Sequence, residues 1–124
     1  MCRNPELVRK LMLAIEQTSQ PMTGQAQIDS YPRDEVAYHM RLIIEAGFAE
    51  GCVMDDHSGG NTTVPRNVVI FRMTNAGHDF IDNIRDANVW ATVSKKLALA
   101  GGSAALDVIR QLGVAAIKMH LGLS

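Results

Sequence analysis

Cys52, Asp55, Asp56 and His57 place four side chains of metal-binding type within six residues. A zinc site ordinarily joins two closely spaced Cys or His ligands to a second such pair elsewhere in the chain. Here only His39, His78 and His120 could supply that second pair, and their spacing does not match, so no metal site is expected. Ser58-Gly59-Gly60 and Gly101-Gly102-Ser103 lack the P-loop lysine and belong to no Rossmann pattern. The first suits a loop tip and the second a helix junction. His39 and His78 read as polar groups satisfied within the fold, because a lone histidine rarely signals chemistry. Without a nucleophile beside a base, paired carboxylates in a cleft or a phosphate cradle, the expectation is a protein that is not an enzyme and carries no cofactor.

What remains is recognition. The stretch 32–47, PRDEVAYHMRLIIEAG, carries Arg33, Tyr38 and Arg41, and the polar stretch 55–67, DDHSGGNTTVPRN, carries Arg66. An arginine bonds a guanine edge or a phosphate, so these residues form a candidate nucleic-acid-binding set. Their surroundings oppose it. Arg33, Arg41 and Arg66 stand against Asp34, Glu35, Glu45, Asp55 and Asp56, and the whole chain has a net charge of −1. Long-range attraction to phosphates requires a cationic surplus, which this balance does not supply.

The elements that position these residues follow from spacing. Asn4-Pro5-Glu6 is a cap, an N1 proline and a first-turn acid. Leu7, Leu11, Ala14 and Ile15, flanked by Val8 and Met12, then predict a helix ending near Ser19. Residues 20–33 hold two prolines and a glycine. They leave room for a short strand around Gln25–Ile28, and for at most a single helical turn. Val36, Met40, Ile43 and Gly47 repeat at helical spacing, and Gly47 suits a left-handed C-cap. Phe48–Met54 and the β-branched and aromatic Val68–Met73 predict two strands of a hairpin. Thr74 opens a helix that buries Phe80, Ile81 and Ile84. A break at Asp86–Asn88 precedes another helix with Val89, Trp90, Val93, Leu97 and Ala100 on its buried side. A last helix is capped by Ser103 and runs to about Leu121. The expected fold is therefore mainly α with a small β-hairpin wing (α+β): a winged helix-turn-helix-like domain over 1–86, with C-terminal helices over 87–124 in the same compact unit.

The chain of 124 residues is 47% apolar and 20% charged, which is the balance of one soluble globular domain. Cys2 and Cys52 are isolated thiols and suggest a reducing cytoplasm. The N-terminal MCRNPELVRKLML has charges inside its apolar run and reads as a helix start, not a signal peptide. Ala104–Leu123 contains Asp107, Arg110, Gln111 and Lys118, so no membrane span is expected.

The segments LVRKLMLAIE, DEVAYHMRLIIEAGF, FRMTNAGHDFIDNIRD and VW resemble the bacterial and phage family called domain of unknown function 2513. The similarity runs from about Leu7 to Trp90 and more loosely to the end. It implies a winged-helix-like fold and no activity. Tyr38, His39, Gly47, Gly77 and His78 match its motif positions, and no role comes with them.

The last helix is apolar over a wider arc than one neighbour needs, with small residues throughout. A homodimer is expected through Leu106, Ile109, Gly113 and Ile117. Two functions are then open. One is a dimeric winged-helix regulator, of phage or bacterial origin, that binds double-stranded DNA. The other is a winged-helix protein-interaction module, an inhibitor or antitoxin-like partner, that binds another protein and not DNA.

Overall fold

The computed structural model describes residues 3–54, 64–99, 111 and 114. The first helix, α1 (Pro5–Gln17), starts where the Asn4 side-chain oxygen accepts from the amides of Glu6 at 3.1 Å and Leu7 at 3.4 Å. Those amides have no partner inside the helix, which is why asparagine is favoured at this position. Leu7, Val8, Leu11, Met12 and Ile15 are buried along one side, while Ala14, expected among them, is only half-buried.

The short strand falls earlier than expected. β1 is Met22–Thr23, not Gln25–Ile28. The Gly24 amide donates to the Val68 carbonyl at 2.8 Å and the Ala26 amide donates to Thr23 at 3.0 Å, which turns the chain away from the sheet at once. Asp29 takes a positive φ of 46°, a conformation that aspartate tolerates better than most residues. No helix lies between β1 and the next helix, where the sequence left room for a single turn.

That next helix is α2 (Arg33–Glu45). Pro32 occupies its N-cap without a side-chain hydrogen bond, so the start is marked by the fixed φ of proline and by Asp34 and Glu35 in the first turn. Its buried side is wider than the expected stripe and consists of Val36, Ala37, His39, Met40 and Ile43. Gly47 lies outside that stripe, exposed, with a φ of 81°. The Phe48 amide donates to Ile43 at 3.1 Å and the Gly47 amide to Ile44 at 3.0 Å, which together form a Schellman closure.

The closure delivers the chain into β2 (Ala49–Met54), which returns as β3 (Asn67–Met73). The three strands form an antiparallel sheet in the order β1-β3-β2, with Ala49 opposite Met73 and Met54 opposite Asn67. An irregularity at Glu50/Gly51 leaves Phe71 without a partner in β2, and Phe71 and Arg72 are then both exposed. A Cβ on Gly51 would stand 2.1 Å from the Val69 carbonyl oxygen, so this position accepts only glycine.

Thr74 caps α3 (Asn75–Ile84), which buries Phe80, Ile81 and Ile84. Asp86 begins α4 (Ala87–Leu99), its carboxylate accepting from the amides of Asn88 at 2.8 Å and Val89 at 3.1 Å. Val89, Trp90, Val93 and Leu97 of α4 join one core with Leu11, Met40, Ile70 and Phe80. The chain is thus α+β, with four helices and a small three-stranded sheet among its described elements. Gln111 and Val114 are helical, and the remainder of the last helix expected over 103–121 lies outside the described residues, as does the hairpin tip 55–63.

Candidate nucleic-acid interface

Helical geometry puts residues spaced by three or four on one face. On α2 that rule lines up Asp34, Tyr38, Arg41 and Glu45 opposite the buried side. Tyr38 is half-buried and meets the His39 ring edge-on, with centroids 5.2 Å apart. Arg41 donates from Nε to the Glu45 carboxylate at 2.6 Å, and its side chain is only 23% exposed. Arg33 is exposed at the first residue of the helix. Arg66 is exposed on a different element, just ahead of β3. Arg33, Tyr38 and Arg41 therefore share α2, while Arg66 belongs to the returning side of the hairpin. Leu106, Ile109, Gly113 and Ile117, the expected dimer residues, lie outside the described residues.

Part of the charge on this face is spent within it. The Arg41–Glu45 pair sets a cation against an acid along the helix. On the sheet, Arg72 grips Glu50 through two bonds of 2.8 and 2.9 Å. Both members of that cross-strand pair are exposed, so water screens it and its contribution to stability is small. Lys10 of α1 pairs with Asp29, which raises its pKa, and lies 5.8 Å from the Tyr31 ring centroid.

The residues that aim α2 are a second group, only partly anticipated. Thr74 Oγ1 accepts from the Gly77 amide at 3.1 Å and donates to the Gly47 carbonyl at 2.6 Å. The Thr74 amide donates to the Phe48 carbonyl at 3.1 Å. One threonine thus caps α3 and ties down the turn leaving α2. The Thr-x-x-Gly pattern suggested the cap, but nothing local in the sequence indicated the reach back over 27 residues to Gly47.

Arg9 was not singled out by sequence. It donates from Nε to the Ile84 carbonyl at 2.9 Å and from Nη2 to the Arg85 carbonyl at 2.8 Å, closing the C-terminal end of α3. Its guanidinium also lies 5.6 Å from the Trp90 ring centroid. Trp90 is core, as expected, with its indole N–H donating to the Glu6 carboxylate at 2.6 Å.

His39 is placed deep in the fold and has no exposed surface. Its Nε2 accepts from the Asn4 amide at 2.7 Å, and its Nδ1 stands 2.7 Å from the Glu35 carbonyl oxygen. Burial lowers its pKa, against a smaller upward pull from Glu35. His78, in contrast, is exposed in the first turn of α3. It borders an open cleft of about 400 Å³ whose walls include Glu16, Met22, Phe71 and Arg72. Two of the charged side chains there are already engaged, Arg72 with Glu50 and Glu16 with Arg85. Cys52 is an exposed thiol, and the described residues contain no cluster of three His, Cys, Asp or Glu able to hold a metal ion. No described helix is long and apolar enough to cross a membrane.

A protein of Haemophilus influenzae, known only as an uncharacterized protein, is similar to this chain. It is 27% identical over 124 residues, a match that covers 98% of this chain and 99% of the relative. No solved structure matches. The family described as "Hypothetical protein (DUF2513)" matches residues 2–103, and those residues include α1, the Gly47 closure of α2, the hairpin strands and the Thr74–Gly77 lock just described. The chain belongs to that family.

Proposed function

We propose that the protein is a winged-helix DNA-binding protein, a small dimeric transcriptional regulator of phage or bacterial origin acting in the cytoplasm. The observation that carries this reading is the connectivity: α1-β1-α2-β2-β3 with sheet order β1-β3-β2. In a winged helix the helix before the hairpin enters the major groove and the hairpin loop reaches the adjacent backbone. On that reading Arg33, Tyr38 and Arg41 of α2 face the bases and phosphates, and Arg66 supports the wing contact. The C-terminal helices, through Leu106, Ile109, Gly113 and Ile117, pair two copies around a two-fold axis.

A second reading is favoured by one specific contact. Arg41 is held by Glu45, and the turns at 24–31 stand where a helix-turn-helix has its first helix. A face of balanced charge around Tyr38 suits a protein partner better than a polyanion. The chain is then a winged-helix interaction module, and it binds another protein in place of DNA.

A pull-down of genomic duplex fragments at low and moderate salt separates the two. The regulator retains fragments at low salt, releases them as salt rises, and loses them on combined Arg41→Ala and Arg66→Ala substitution. Failure to retain any duplex removes the DNA reading.

A further inference from the structure

We infer that His39 is a protonation-controlled latch between α1 and α2, in which charging the imidazole breaks the bond that fixes the N-cap of α1. Among the described residues it is the one buried side chain of polar or charged type. A carbonyl can only accept, so the 2.7 Å contact with Glu35 assigns the ring proton to Nδ1. The Asn4 amide can only donate, so the 2.7 Å contact at Nε2 requires a bare lone pair. These two backbone groups admit one neutral tautomer and exclude the imidazolium. A proton added at Nε2 faces the Asn4 N–H directly.

The charged surroundings do little to relieve this. From α2 the neighbour is Glu35, whose carboxylate favours the charged ring but less than burial opposes it. Tyr38 presents a neutral ring, edge-on. From α1 the contact is Asn4, uncharged, and the first-turn acid Glu6 is engaged by Trp90. The sheet side of α2 is apolar, with Val68 and Ile70 buried against it.

Because the pKa of His39 is lowered in the folded state, its contribution is complete above the ordinary value of 6.5. It is lost as pH falls from there through the folded-state value. The same step loosens Asn4, whose side chain caps α1, and with it the turn carrying the Glu6–Trp90 bond. The device belongs to the packing of α1 on α2 and holds for either function proposed above.

Nitrogen-detected NMR of the imidazole in the full chain, with amide hydrogen exchange between about pH 7.5 and about pH 5, tests it. The expected result is the Nδ1–H tautomer at the upper pH. The Asn4 protection factor should fall about tenfold or more with the His39 titration, while that of Ile70 in β3 holds at pH values above global unfolding. His39→Gln, which keeps a donor and an acceptor without a titrating proton, should make Asn4 protection independent of pH. An Nε2–H tautomer, or Asn4 protection that does not follow His39 in the wild-type chain, overturns the latch. The wild-type titration decides the matter even if His39→Gln does not fold.

Discussion

Gly77 in the first turn of α3 lies directly against the carbonyl of Phe48, the residue that leads from the α2 closure into β2. A Cβ at Gly77 would stand 2.0 Å from the Phe48 oxygen and 2.7 Å from Met73 Cγ. The obstacle is backbone, held in turn by the Thr74 amide, so it cannot swing aside. Gly77→Ala must push α3 away from the exit of α2, at a cost of about 3 kcal/mol. Urea unfolding should show the loss as a lower midpoint with an unchanged slope. A variant as stable as the parent would mean that α3 does not pack this closely.

How much of this was legible in the sequence depends on the range of the interaction. The Asn4 cap, the Gly47 closure, the Thr74 cap and the buried faces of α1, α3 and α4 are set by neighbours within a few residues, and spacing alone finds them. β1 lies earlier than local spacing predicts because its position depends on Gly24 bonding to Val68, 44 residues away. The side chains of Met22-Thr23 and Gln25–Ile28 do not alternate apolar with polar over a long enough run to reveal such a partner. The candidate DNA-contact residues were readable as types, and their exposure partly so. That Arg41 would be folded back onto Glu45 was not singled out, although the pair has the i,i+4 spacing that permits it.

Arg9 joins three elements, closing α3 and covering Trp90 of α4 from its seat on α1. Charged donors on two helix-end carbonyls and the stacked indole together are worth about 2 kcal/mol. Arg9→Ala should lower stability by that amount. Trp90 is the only tryptophan in the sequence, so its fluorescence reports the loss directly as emission shifted to longer wavelength in the folded state. Arg9→Lys, which cannot span both carbonyls with a planar fork, should recover less than half of the stability. Full recovery by lysine would show that charge alone suffices.

The proposed dimer makes a separate demand on the C-terminal helices. Burying an unpaired carboxylate at a two-fold interface places two like charges near each other. Combined Ile109→Glu and Ile117→Glu should therefore halve the mass measured by light scattering, while the circular dichroism of the remaining fold persists. A wild-type chain that is already monomeric at about 100 µM, well above typical specific-complex dissociation constants, would dismiss this interface.

Glu45 offers the sharpest division between the two proposed functions. Its carboxylate holds Arg41 Nε at 2.6 Å and lies on the outward stripe of α2 with Tyr38. If that stripe meets DNA, Glu45 repels phosphate and competes for the arginine, so Glu45→Gln relieves both effects. At low ionic strength a single charge several ångströms from a phosphate is worth about 0.5 kcal/mol or somewhat more. Duplex affinity should then rise about two- to fivefold, and the advantage should shrink as salt screens it. Arg41→Ala on the Glu45→Gln background should remove the part of the gain that runs through the arginine and leave the part that comes from the lost repulsion. If the stripe meets a protein instead, Glu45→Gln leaves the chain without measurable duplex affinity. Its consequence appears as altered co-purification of the partner, since the balanced Arg41–Glu45 pair is then part of the surface being read.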